Sequence, residues 1–106
     1  MEQTFIKFMY VTFPSLEEAK RICTPLVEQK LAACVNIFPG SQTIYRWDNQ
    51  IQEAQEVSVF IKTRDSNVGE IREHIKKLHP YEIPCIVDFD VTGGNPAFLH
   101  WIRTNA

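Results

Sequence analysis

Short apolar runs alternate along this chain with two stretches in which apolar positions recur every three or four residues. Residues 5–13 are rich in aromatic and β-branched types and read as a first strand, stopped by Pro14-Ser15. Leu16, Ala19, Ile22, Cys23, Leu26 and Val27 then mark one face of a helix. Ser15, followed three residues later by Glu18, forms a capping box in which hydroxyl and carboxylate satisfy orphan backbone donors. Pro25 removes one backbone bond from that helix and predicts a kink near Arg21.

Leu31 to Phe38 is a second strand, nearly free of charged side chains, as expected where both faces are covered. Pro39-Gly40-Ser41 interrupts it, and Gln42 to Trp47 resumes the extended pattern. Asp48-Asn49, both tolerant of positive φ, signals a hairpin, and Ile51 to Lys62 returns antiparallel. Asp65 or Ser66 caps a second helix with Val68, Ile71, Ile75 and Leu78 inward. Ile83 to Val91 is a fourth strand, with Cys85, Val87, Phe89 and Val91 on one side and Asp88 and Asp90 on the other. Gly93-Gly94-Asn95-Pro96 turns the chain into a short terminal helix, Ala97 to Arg103, packing Phe98, Leu99 and Trp101.

The order β-α-β-β-α-β predicts a single α+β domain over residues 1–106, a ferredoxin-like antiparallel sheet followed by a short C-terminal helix. Both long helices cover one sheet face. The other face, carrying aromatic and aliphatic residues, is left wanting a cover, and the long hairpin projects past the body. Together these predict a homo-oligomer joined through strands.

Composition narrows the functions. The chain has 106 residues, 44% hydrophobic and 23% charged, with a net charge of −2, so it lacks the basic footprint that nucleic acid or an anionic membrane demands. Its third strand lacks the glycine-bearing aromatic motif of RNA-recognition domains that share this strand order. Met1-Glu2-Gln3-Thr4 shows no leader pattern, and no apolar stretch reaches spanning length. The three cysteines, Cys23, Cys34 and Cys85, are odd in number and widely spaced, which argues for small buried hydrophobes in a reducing cytoplasm.

A set of short sequences carries a family resemblance. Val11-Thr12, Leu26-Val27-Glu28, Leu31-Ala32-Ala33-Cys34-Val35-Asn36, Ile44-Tyr45-Arg46-Trp47 and Glu56-Val57 come in order. Ile61-Lys62-Thr63, His79-Pro80-Tyr81-Glu82-Ile83-Pro84 and Gly94-Asn95 with Leu99 and Trp101 follow. The chain resembles the CutA divalent-cation tolerance family over nearly its full length. The resemblance implies a ferredoxin-like subunit in a homotrimer similar to the PII signalling proteins, a cytoplasmic setting, and a link to copper or another divalent cation. In some members of that family copper is associated with a cysteine just before the strand-one threonine and two adjacent histidines before the proline. Here those places hold Val11, Leu78 and His79, so one donor of three is present.

Candidate chemistry falls into three groups, each with a plainer alternative. His79 is a metal ligand or caps the second helix with its ring over the last carbonyls. Glu56, Lys62, Tyr81 and Glu82 line a ligand cleft, or, with His79, Tyr81 and Glu82 as acid–base groups, an enzyme site. The alternative has Pro80 ending the helix and Glu82 pairing with Lys62 or Arg64. Tyr45, Trp47 and Trp101 serve a cleft or pack subunits together. No activated nucleophile or Walker-type phosphate loop is evident. The leading expectation is a trimer that binds a divalent cation or small ligand between subunits, with an enzyme or a purely structural or signalling trimer as alternatives.

Overall fold

A computed structural model describes residues 5–106, so the N-terminal Met1 to Thr4 reading lies outside the described residues. The elements are β1 (Ile6–Phe13), α1 (Leu16–Glu28), β2 (Cys34–Trp47), β3 (Gln50–Arg64), α2 (Val68–Leu78), β4 (Ile86–Asp90) and α3 (Pro96–Asn105), with a 3₁₀ turn, Asp65–Asn67, before α2. The four strands form one antiparallel sheet in the order β2-β3-β1-β4. That order, with two crossover helices, is the ferredoxin-like arrangement.

One face of the sheet carries the core. Met9, Val11 and Phe13 of β1 and Val57, Val59 and Ile61 of β3 pack against Ala19, Ile22, Cys23 and Leu26 of α1 and Ile71 and Ile75 of α2. Alternation puts their neighbours Tyr10, Thr12, Ser58 and Phe60 on the opposite face, in register across the β1–β3 ladder. There α3 covers one end only, burying Ile102 against Ile6 and Ala33 beside Phe8 and Leu99. Among the described residues no helix covers the remainder of that face, and although Thr12 and Ser58 are buried there, its large apolar side chains are not. Phe38, Val87 and Phe89 are about half exposed (52%, 44% and 50%) beside the Tyr10–Phe60 ring pair.

Local chemistry explains where the boundaries differ from expectation. Ser15 Oγ accepts from the Glu18 N–H at 3.1 Å, but the Glu18 carboxylate pairs with Arg21 instead of returning to the cap, so half a capping box forms. Pro25 sits within an unbroken α1. Leu31 and Ala32 are not strand residues: their N–H groups both reach the Leu26 carbonyl and close the helix after Lys30 turns left-handed (φ 58°). Leu16, Val27 and Leu78 stay partly exposed, outside the core. Neither Asp65 nor Ser66 is the cap of α2. The Asn67 at that position makes no capping bond and sends its amide to the Leu31 carbonyl (3.1 Å), which also receives the buried Thr63 hydroxyl. β4 is shorter than expected because Pro84 cannot donate to a ladder. Its acids face the helix-covered side: Asp88 pairs with Arg72 of α2, and Lys7 lies between Asp88 and Asp90.

The β2–β3 hairpin is the feature that positions the site. β1 pairs with β3 only from Val57 to Arg64, so the Gln50 to Glu56 half of β3 has β2 as its sole strand neighbour and extends past the body. Asp48 and Asn49 both take positive φ (51° and 62°), the primed turn whose twist matches the two strands. The molecule is accordingly elongated, 51 × 25 × 22 Å.

Candidate functional site

The bulge at Pro39-Gly40 decides which hairpin side chains meet the body. Phe38 pairs with Ser58 but Ser41 pairs with Glu56, so β2 carries one extra residue, and Gly40 supplies the positive φ (85°). Before the bulge the even-numbered Cys34, Asn36 and Phe38 share a face with Phe60 and Ser58. After it the odd-numbered Thr43, Tyr45 and Trp47 take that face, opposite Ala54, Gln52 and Gln50. A one-residue offset reverses every side chain of a strand. The irregularity read in the sequence as an interruption is therefore what aims two aromatics at the bare side of the sheet.

At the foot of the hairpin these residues wall a concave cleft of about 670 Å³. Tyr45, Trp47, Thr43 and Glu56 come from the hairpin, Tyr10 and Thr12 from β1, and Tyr81, Glu82, Ile83 and Cys85 from the segment between α2 and β4. Its volume is within the range of small-molecule sites. Glu56 organises the floor. Although nearly buried, it accepts the Thr43 hydroxyl on one oxygen (2.6 Å) and the Tyr81 hydroxyl on the other (2.8 Å). Desolvation first, then the hydrogen bond and charge of Glu56, hold the Tyr81 phenol well above its ordinary range, so it remains a donor. Cys85 is pushed up by burial and by the Glu56 charge, with a Thr12 hydrogen bond acting the other way.

His79 is a post behind this cleft. It ends α2, its own N–H bonding the Ile75 carbonyl at 2.8 Å. Its ring does not face the helix's last carbonyls. It is buried between Phe13 (4.9 Å, stacked) and Tyr81 (4.8 Å). Tyr81 N–H donates to Nδ1 at 3.1 Å, which makes Nδ1 the acceptor and leaves Nε2–H to donate to the Thr12 carbonyl at 2.7 Å. Both nitrogens therefore hold Tyr81 and β1 in place, and a metal at His79 has to displace one of these bonds.

The cleft brings together Tyr45, Trp47, Glu56, Tyr81 and Glu82. Lys62 and Trp101 lie elsewhere. The Lys62 ammonium sits 5.5 Å from the Phe8 ring and 5.3 Å from Phe98, and Trp101 stacks on Phe98 along α3. Sequence reasoning missed Tyr10, Thr12, Thr43 and Cys85. A two-residue step from Tyr45 reaches Thr43, and Tyr10 and Thr12 are the β1 positions that face away from the core residues Met9, Val11 and Phe13.

The donor set does not fit a copper ion. Val11 and Leu78 offer no ligand atoms, and among the described residues no group of three or more His, Cys, Asp or Glu side chains converges. Nor, among those residues, is any helix long and apolar enough to cross a membrane.

Comparison with known proteins gives a consistent picture. Residues 7–105 match the family model described as CutA1 divalent ion tolerance protein. The divalent-cation tolerance protein CutA of Archaeoglobus fulgidus is 45% identical over 95 residues, covering 90% of this chain and 92% of that protein. The solved CutA1 structure from Thermus thermophilus superposes with a TM-score of 0.90 at 42% identity, over 94% of this chain and 97% of the other. CutA1 from Oryza sativa gives 0.91 at 37% identity, over 95% and 93%.

Proposed function

This chain belongs to the CutA1 divalent ion tolerance family, and from that premise we propose that it works as a cytoplasmic, PII-like homotrimer in the cell's response to divalent metal ions, copper among them. In this reading the hairpin cleft is a small-molecule site completed by a neighbouring subunit. The observation that carries it is the bare half of the sheet: Phe38, Val87 and Phe89 face solvent in one subunit, continuous with the open side of the cleft. Burying such a surface against copies of itself is the direct way to remove it from water, at about 25 cal/mol per Å² of apolar area.

The copper link rests on family membership, since the cleft offers copper no converged donor set. The role proposed is accordingly one of sensing or relaying metal status through a bound ligand, with Tyr45, Trp47, Glu56, Tyr81 and Glu82 as the contacting residues. An enzyme acting through His79, Tyr81 and Glu82 has less support, because the His79 ring is buried and both its nitrogens are already bonded to backbone.

Light scattering on the purified chain tests the assembly, with a trimer mass expected; a stable monomer at nanomolar concentration overturns it. Calorimetry with copper and zinc salts then separates direct metal binding from the ligand-mediated role. Micromolar copper binding abolished by His79→Ala would replace the relay reading with a direct one.

A further inference from the structure

In the cleft four aromatic side chains, Tyr10, Tyr45, Trp47 and Tyr81, meet two carboxylates, Glu56 and Glu82, and no lysine, arginine or histidine side chain is among the lining residues. No salt bridge to Glu56 or Glu82 forms among the described residues either. The negative charge of the cleft is thus left without an internal counterion.

Resting on the reading of this cleft as a ligand site, we propose that its ligand is a small organic cation, a primary ammonium compound, held against the aromatic faces with its N–H groups on Glu56. Aromatic faces attract ammonium groups through the ring quadrupole. Each Glu56 oxygen accepts one hydrogen bond within the chain and keeps a second lone pair for an incoming donor.

The alternatives fit less well. A hard divalent ion wants six or more oxygens around it, and the cleft presents mainly four aromatic rings beside its two carboxylates. A soft copper ion wants thiolate, and Cys85, the cysteine of the cleft, is biased toward its thiol by burial and by Glu56. An anion meets two carboxylates and no cation. The molecule also carries the same arrangement internally, in the Lys62 ammonium beside the Phe8 and Phe98 rings.

The test uses three molecules of similar length and different charge: putrescine, 1,4-butanediol and succinate. In a Trp101→Phe background Trp47 is the remaining tryptophan and its emission reports on the cleft. Putrescine is expected to quench or shift that emission saturably, at least tenfold tighter than 1,4-butanediol, with no response to succinate. Glu82→Gln, at an exposed position without a bonded partner, is expected to weaken putrescine several-fold while leaving the fold intact, and Glu56→Gln to weaken it further. Equal binding of diol and diamine, or a preference for succinate, overturns the assignment of charge while leaving the cleft a ligand site. Silence of Trp47 to all three in an intact trimer overturns the cleft as a site for such molecules altogether.

Discussion

The two halves of β3 belong to the same strand and pair with the same neighbour, yet they face different physical problems. From Val57 to Arg64 the strand lies between β1 and β2, and its inward side chains are packed beneath two helices. From Gln50 to Glu56 it has β2 alone, and Ile51 and Ile44 of the hairpin are 61% and 70% exposed. The first half stabilises the subunit. The second presents side chains outward, and its own stability comes from the primed turn and the ladder. The dividing point is the bulge, which lies directly across from Val57.

Mutations can break this comparison, beginning with the core. Ile61→Ala should cost about 2–5 kcal/mol in urea unfolding, the range for large-to-small changes in a packed interior. Ile51→Ala should stay within about 0.5 kcal/mol. Similar losses at the two positions would mean that the halves are not distinct. Deleting Gly40 should remove the bulge and turn Tyr45 and Trp47 to the opposite face. Binding at the cleft would be lost while the core unfolds within about 1–2 kcal/mol of the parent, the order of a local backbone rearrangement. Preserved Trp47 responses to ligand would show that the offset does not aim these rings.

Phe89→Asp on the bare face should raise the concentration needed for assembly by tenfold or more, equivalent to about 1.4 kcal/mol. Light scattering over a dilution series would register it, and an unchanged midpoint would locate the subunit contact elsewhere. The smallest effect concerns pH. Burial pushes the Cys23 thiol up to about 12 from an ordinary 9.0. Because the folded pKa is the higher one, its contribution is complete below pH 9 and declines as pH climbs toward 12. The urea midpoint should fall between pH 8 and pH 10.5, and less so in Cys23→Ala; identical slopes would remove Cys23 as the cause.

Much of this architecture is legible in the residues. Alternation in β1 and β3, helical spacing in α1 and α2, and Asp48-Asn49 at the turn each point to one local conformation, and they agree with one another. What sequence reasoning missed is partly a local competition for backbone groups and partly the work of partners distant in the chain. Leu31 and Ala32 look like strand, but their N–H groups are claimed by the end of α1. Asn67 looks like one more polar residue near a helix start, but its amide is drawn to Leu31. Within the cleft, Tyr45 and Trp47 were visible as large amphipathic aromatics. The parity change that brings Thr43 and Glu56 together was hidden, since Pro39-Gly40 announces a break without saying how many residues it adds. His79 stood out as a histidine, and only packing shows it to be a strut between Tyr81 and Thr12.

The two rings beside Lys62 also settle where this side chain's charge can be spent. Lys62 and Glu56 share one strand and one face, six residues apart, about 20 Å at ~3.4 Å per residue. At that separation, and with its ammonium lying over Phe8 and Phe98, the lysine is out of reach of the hairpin's foot. Balancing the two carboxylates of the cleft therefore falls to partners outside the subunit, a neighbouring copy or the mobile cations of the surrounding solution.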